Sequence, residues 1–191
     1  ILTFSILFGE GISFRGKSKE QLLGQAVPLA FANIIANNYN ILPSQINPQR
    51  GSYLIIVPDG IMNYLGDFVA FKNSQGFDVD VIPLSEAGES ADAIKITIAN
   101  KLAEDPMLEY VLLIGDVDGF AEFPSFYYGP DNDVSDQKYT HILGNDNIPD
   151  VFIGRLSIDS LSDFAVVLAK TIKYARDPLA FNSDWLDHGL I

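Results

Sequence analysis

The sequence predicts an α/β fold, a three-layer sandwich with a mostly parallel sheet. Two runs of consecutive apolar residues, YLIIV at 53–57 and YVLLI at 110–114, are typical of strands buried on both faces. Amphipathic segments with helical spacing lie between and after these runs, so strands and helices alternate along the chain. Such alternation builds right-handed βαβ units and therefore a parallel sheet.

The run at 110–114 is the predicted central strand, and Gly115 and Asp116 follow it directly. The carboxyl ends of strands in open α/β sheets are where ligands and metals usually bind. Asp116 is therefore a candidate ligand. The plain alternative is that Gly115 makes a turn and Asp116 only caps it.

The other predicted elements flank this strand in chain order. They are a strand at 53–57 ended by Pro58, a helix at 61–75 stopped by Gly76, a peripheral strand at 77–83, a helix at 91–104, a strand at 151–155, and a helix at 161–174 capped by Ser160 or Asp159. Strand 77–83 is expected to be less buried, because apolar and acidic residues alternate along it.

The first quarter of the chain differs from the rest in its residue pattern, so we divide the chain at residue 50. Residues 1–15 predict a β-hairpin around a glycine turn, short helices follow from Ser18, and residues 37–48 are typical of a linker. Residues 51–191 then form the α/β domain. The chain starts with Ile1 rather than Met, and residues 186–191 resemble the start of another strand. We therefore expect an excised or processed piece of a longer protein.

Composition excludes several classes of function. Twelve Lys and Arg against 25 Asp and Glu give a net charge of −13, which disfavours nucleic-acid binding. The 191 residues contain no cysteine, so disulfides, zinc–thiolate sites and a cysteine nucleophile are excluded within them. No apolar run approaches the roughly 18–20 residues that would span a bilayer.

A long acidic loop, residues 116–150, follows the central strand, and long loops within compact domains are often functional. Its last part, LGNDNIPD at 143–150, offers hard oxygen ligands of the kind calcium prefers. The candidate ligands are the carboxylates of Asp116, Asp146 and Asp150 and the carbonyl oxygens of Leu143 and Ile148. The EF-hand pattern is not matched. A solvated acidic loop is the alternative, and a basic partner such as Arg155 is another way to balance the charge.

Six segments in series resemble the gingipain family of cysteine peptidases. They are FVAFKNSQGFDV at 68–79, YVLLIGD at 110–116, SDQKY at 135–139, LGND at 143–146, DVFIGRLS at 150–157 and TIKYARDP at 171–178. The resemblance covers roughly residues 53–191. Residues before Gly51 show no clear match and resemble the tail of a pro-segment or a linker.

The resemblance implies a caspase-like first subdomain, whose catalytic histidine and cysteine lie in a second subdomain that starts near residues 186–191. The resemblance therefore implies no catalytic residue within this chain. His141, expected in a strand, and His188 are expected to be structural or exposed. The resemblance also implies a calcium ion held by Asp116, Asp146 and Asp150, with carbonyls of Leu143 and Ile148. Asp150 stands where relatives have glutamate.

The expected function is that of the N-terminal subdomain of a secreted cysteine endopeptidase, inactive alone. Its expected partners are the downstream catalytic subdomain and, in the intact enzyme, protein or peptide substrates. The resemblance places such a protein outside the cell or on its surface. A non-catalytic binding or secretion-associated module is the alternative. A phospho-acceptor receiver is disfavoured, because Asp59 is the single carboxylate directly after the first strand, where a receiver needs an acidic pair.

Overall fold

The computed structural model describes residues 51–177 and, before them, the helical residues 33–34 and 36–38. The hairpin predicted at 1–15, most of the predicted linker and the strand predicted at 186–191 lie outside the described residues. His188 lies outside them as well.

Six strands and four helices make up the described domain. The strands are β1 (Gly51–Val57), β2 (Phe77–Pro83), β3 (Leu108–Ile114), β4 (Phe126–Tyr128), β5 (Asp133–Ser135) and β6 (Phe152–Leu156). The helices are α1 (Gly66–Ser74), α2 (Leu84–Ala87), α3 (Ala91–Glu104) and α4 (Leu161–Arg176). Short 3-10 segments cover Asp59–Tyr64, Gly119–Ala121 and Gln137–Thr140.

The central sheet has four strands in the order β2-β1-β3-β6, all parallel. Strands β1 and β3 are internal, and β2 is an edge strand with alternating exposure. This confirms the predicted parallel neighbours and the internal position of the strand at 110–114. Strands β4 and β5 pair antiparallel in a separate ribbon.

Two apolar clusters cover the two faces of this sheet, as a three-layer sandwich requires. On one face, Ile94, Ile98 and Leu102 of α3 pack on alternate residues of β1 and β3. On the other face, the packing residues include Phe68 of α1 and Phe164 of α4. Strands β1 and β3 are almost uniformly apolar because both of their faces are covered.

The helix predicted at 61–75 is wrong at its start. The chain forms a 3-10 segment, Asp59–Tyr64, and α1 begins only at Gly66. The amides of Ile61 and Leu65 donate to carbonyls three residues earlier, at 2.9 and 3.3 Å. Glycine at the junction favours such a break, because it is a poor helix former.

The predicted strand around His141 is also wrong. His141 instead follows the 3-10 segment Gln137–Thr140. The next two amides, of Ile142 and Leu143, donate to the Asp150 carboxylate, so a side chain replaces the neighbouring strand as their partner.

None of the helices in the described part of the chain combines the length and the apolar character that crossing a membrane requires.

Candidate functional site

The carboxyl ends of the four parallel strands meet at one edge of the sheet. Val57 of β1 pairs with Pro83 of β2, and Ile114 of β3 pairs with Leu156 of β6, so all four strands end at this edge. In open parallel sheets this edge is the usual place for a ligand.

The loop after β3 begins with a tight turn at Gly115 and Asp116. Gly115 has φ +129°, and a methyl group on its Cα would overlap the carbonyl oxygen of Ala121. The Asp116 amide donates to Ala121 at 3.0 Å, and the Asp116 carbonyl accepts from Phe123 at 2.6 Å. The Asp116 carboxylate accepts from the Val117 amide at 2.7 Å. Asp116 therefore caps its own turn.

A nearly buried arginine lies under this turn. The Arg155 guanidinium makes a two-point contact with Asp136, Nε to Oδ2 at 2.8 Å and Nη2 to Oδ1 at 2.7 Å. Its remaining protons go to the carbonyl oxygens of Gly115, Phe123 and Pro124 at 3.1–3.3 Å. The two side chains are only 10% and 19% exposed. Arg155 thus joins β6 to the loop after β3.

Asp136 is held from a second side, because Ser125 donates to its Oδ1 at 2.8 Å. Nearby, Tyr139 packs edge-on against Phe126 and donates its hydroxyl proton to Pro124 at 2.7 Å. Burial raises the pKa of Tyr139 well above its usual value. The sequence pattern does not reveal the Arg155–Asp136 pair. It offers Arg155 only as a basic partner for the carboxylates of Asp116, Asp146 and Asp150. The one available signal was an arginine in an otherwise apolar strand, which predicts a buried partner.

The predicted metal residues of the loop at 143–150 form one compact turn. The Asp150 Oδ2 accepts from the amides of Ile142 and Leu143, both at 2.7 Å. The Asp146 Oδ1 accepts from the Ile148 amide at 2.9 Å. The side chains of Leu143 and Ile148 are exposed, and the Asp150 amide donates to Thr140. Both carboxylates therefore organise backbone amides.

Asp116 belongs to the separate turn at the end of β3. Over the residues that the structure describes, no group of three or more His, Asp or Glu side chains is arranged to hold a metal ion. The three predicted carboxylates are thus not gathered into one such group. Calcium at this loop stays a prediction.

His141 has a buried Nε2 atom without a hydrogen-bond partner among the described residues. Residues 51–177 contain no cysteine. The site at the sheet edge is therefore built from loops, carboxylates and one buried arginine.

These features define the class of the domain: a four-stranded parallel α/β domain with an acidic, arginine-braced loop region at the carboxyl edge of its sheet. The family model for peptidase family C25 matches residues 46–191. The chain belongs to this family.

The similar curated proteins are gingipains of Porphyromonas gingivalis. Gingipain R2 is 31% identical over 163 residues, which cover 84% of this chain and 21% of the relative. Gingipain R1 is 30% identical over 158 residues, 79% of this chain and 15% of the relative. The chain thus spans about a fifth of the length of these relatives or less.

Solved structures agree with these relatives. The crystal structure of the Arg-specific cysteine proteinase gingipain R matches with TM-score 0.58 and 32% identity, over 65% of this chain and 28% of that chain. The complex of the RgpB pro- and mature domains from Porphyromonas gingivalis gives the same TM-score and identity, over 65% of this chain and 29% of that chain. The resemblance inferred from the six sequence segments is confirmed, as is the predicted fold class.

Proposed function

We propose that this chain is the N-terminal, non-catalytic subdomain of a gingipain-like cysteine endopeptidase, whose nucleophile lies in another part of the polypeptide. One observation carries the proposal: a chain that belongs to a cysteine-peptidase family contains no cysteine. The fraction of the gingipains that it spans, 21% and 15%, leaves most of each relative unmatched. The unmatched part of each relative is long enough to contain a catalytic cysteine and histidine.

In the intact enzyme, a cysteine thiolate attacks the peptide carbonyl and a histidine carries the proton to the leaving amine. The 191 residues provide no thiol for this reaction. The role proposed for this chain is to act as a scaffold. The Arg155–Asp136 pair ties the loop after β3 to β6. We propose that this loop contacts the catalytic subdomain.

The test compares the native polypeptide that contains this chain with variants at residues downstream of Ile191. The expected sequence there is a histidine preceded by small residues, then a cysteine a few tens of residues later. Replacing that cysteine with alanine should abolish cleavage of peptide substrates without altering the folding of residues 51–177. A downstream sequence that lacks both residues would instead favour the non-catalytic binding or secretion-associated module.

We also propose a structural calcium ion at the loop 143–150, held by the carboxylates of Asp146 and Asp150 and the carbonyls of Leu143 and Ile148. Hard oxygens in a tight turn support this choice. They fall short of the six to eight ligands that calcium takes, so water or groups outside the loop must complete the shell. Asp116 is also a predicted ligand, although its carboxylate accepts from the Val117 amide in the separate turn after β3.

The proposed location is outside the cell or on its surface, and the support is the similarity to gingipains. Cell fractionation with an antibody against residues 51–177 tests it. Recovery of the native protein from the medium or the outer surface is the expected result, and retention in the cytosolic fraction would contradict it.

A further inference from the structure

The sequence contains two Asp–Gly pairs, Asp59–Gly60 shortly after β1 and Asp118–Gly119 shortly after β3. Asp–Gly is the dipeptide in which aspartate converts most readily to isoaspartate, because glycine has no side chain to hinder attack by its backbone nitrogen. The attack requires the aspartate carboxyl to rotate towards that nitrogen. The surroundings of the two carboxyl groups therefore decide where the reaction takes place.

The carboxylate of Asp59 is held in place by one neighbour. It accepts the Ser85 hydroxyl at 2.5 Å and the Ser85 amide at 3.2 Å. The hydroxyl first, and then the amide, lowers the pKa of Asp59, which reduces the fraction of the acid form that can lose water. Rotation of this carboxyl towards the Gly60 nitrogen would break both hydrogen bonds. The pair Asp59–Gly60 is therefore protected in the folded protein.

The pair Asp118–Gly119 lacks this protection. Asp118 precedes the 3-10 segment Gly119–Ala121, and its side chain accepts no capping hydrogen bond from that segment. Asp118 and Gly119 are both exposed. Gly119 has φ +83°, and within the described part of the chain no atom beyond its chain neighbours lies within 4 Å of where a Cβ would stand. The Asp118 carboxyl thus has room to approach the Gly119 nitrogen.

We propose that Asp118–Gly119 is a site of spontaneous isoaspartate formation in the folded protein, and that Asp59–Gly60 is not. The Gly119 nitrogen attacks Cγ of Asp118, an N–Cγ bond forms, and the carboxyl hydroxyl leaves with the amide proton as water. Water then opens the cyclic imide. Opening at Cγ returns aspartate, whereas opening at the main-chain carbonyl carbon leaves a chain that runs through Cβ and Cγ, which is isoaspartate.

The modification would act on the turn that follows β3. Isoaspartate lengthens the main chain by one methylene group between Asp116 and Ala121. The Ala121 carbonyl accepts from the Asp116 amide at 3.0 Å, so the added group falls inside the ring that this hydrogen bond closes. Ageing of the protein should therefore disturb this turn at the carboxyl edge of the sheet. The inference is independent of the peptidase function, because it uses only residues of this chain.

The experiment incubates the 191-residue chain at neutral pH and physiological temperature, both folded and unfolded in guanidinium chloride, with samples taken over several weeks. Trypsin releases the two sites in separate peptides, 51–72 and 102–138, and electron-transfer fragmentation distinguishes isoaspartate from aspartate in each. Each rate is divided by the rate of the same site in the unfolded chain, which removes the effect of sequence neighbours. We expect the folded chain to convert Asp118 at least about tenfold faster than Asp59 on this scale, because two hydrogen bonds must break at Asp59.

A variant tests the protection of Asp59 directly. Ser85→Ala removes the hydroxyl that holds this carboxylate. Isoaspartate formation at Asp59 should then rise about threefold or more, and Asp118 in the same sample should be unchanged. Ser162→Ala, which removes an exposed serine hydroxyl on α4, is the matched control and should leave both rates as they are.

Two results would overturn the proposal. One is a folded chain that converts Asp118 no faster than Asp59, and the other is a folded Ser85→Ala variant in which Asp59 converts no faster than before. A circular dichroism spectrum checks the folding of each variant, and the comparison of folded with unfolded wild type decides the matter without any variant. Because the assay measures no hydrolysis of a substrate, its outcome is separate from that of the peptidase assignment.

Discussion

Replacing Arg155 with methionine should destabilise the domain far more than breaking an exposed ion pair of the same length. Arg155 and Asp136 are joined at 2.7 Å with side chains 10% and 19% exposed, whereas Lys101 and Asp80 are joined at 2.7 Å with side chains 31% and 53% exposed. The two pairs share their N···O distance and differ in burial. The comparison therefore measures what burial and the additional hydrogen bonds of Arg155 contribute together.

The expected loss in the free energy of unfolding depends on which buried groups each substitution leaves without a partner. Arg155→Met leaves the Asp136 carboxylate largely out of water without its cation, a defect that costs about 3–5 kcal/mol. Three carbonyl oxygens also lose their donor. We expect a loss of about 3–4 kcal/mol, because Ser125 still donates to Asp136. Lys101→Met should cost no more than about 1 kcal/mol.

Equilibrium unfolding in urea measures both changes. With a slope of about 2 kcal/mol per molar, Arg155→Met should lower the midpoint by about 1.5–2 M and Lys101→Met by about 0.5 M or less. The double variant Arg155→Met/Asp136→Leu should be more stable than the sum of its single changes predicts, by about 1–3 kcal/mol. Equal midpoints for Arg155→Met and Lys101→Met would refute the argument from burial.

Three further predictions concern other parts of the domain. Burial, with Tyr110 nearby, raises the pKa of Tyr53 to about 12. The contribution of the neutral phenol to the free energy of unfolding is therefore complete below pH 10 and is lost as the pH rises towards 12. Tyr53→Phe should reduce this loss of stability at alkaline pH, as measured by urea unfolding over a pH series. Ser160→Ala should cost about 1 kcal/mol, because the hydroxyl accepts from the Asp163 amide at 3.1 Å, and Ser160→Asp should restore most of it in the same assay. Calcium should raise the melting temperature of the wild type and have little effect on Asp146→Ala, whereas equal, calcium-independent melting of both would leave only a solvated acidic loop.

The elements that the sequence predicted well are those with strong periodicity and a local stop signal. Helix α3 has the predicted bounds, because Ile94, Ile98 and Leu102 recur every four residues and Ser90 caps its start. The parallel sheet was predictable for a similar reason: only strands buried on both faces are as uniformly apolar as β1 and β3.

The site was harder to predict, because its organisation depends on contacts distant in sequence. Arg155 meets Asp136 across 19 positions and Gly115 across 40, and no local pattern encodes those pairings. The short ribbon of β4 and β5 was missed as well, since three-residue strands have no measurable periodicity. A surface cavity at the carboxyl edge of the sheet is likewise lined by residues that follow three different strands, Pro58, Leu84 and Pro124.

The central proposal is that the intact protein is a cysteine peptidase whose nucleophile lies outside these 191 residues. Incubation of the pure 191-residue chain with arginyl and lysyl reporter peptides tests it most directly, with a folded spectrum recorded on the same sample. The account predicts no turnover and no reaction with thiol-directed inhibitors, because the chain contains no cysteine. Turnover of either reporter by the pure chain would contradict it.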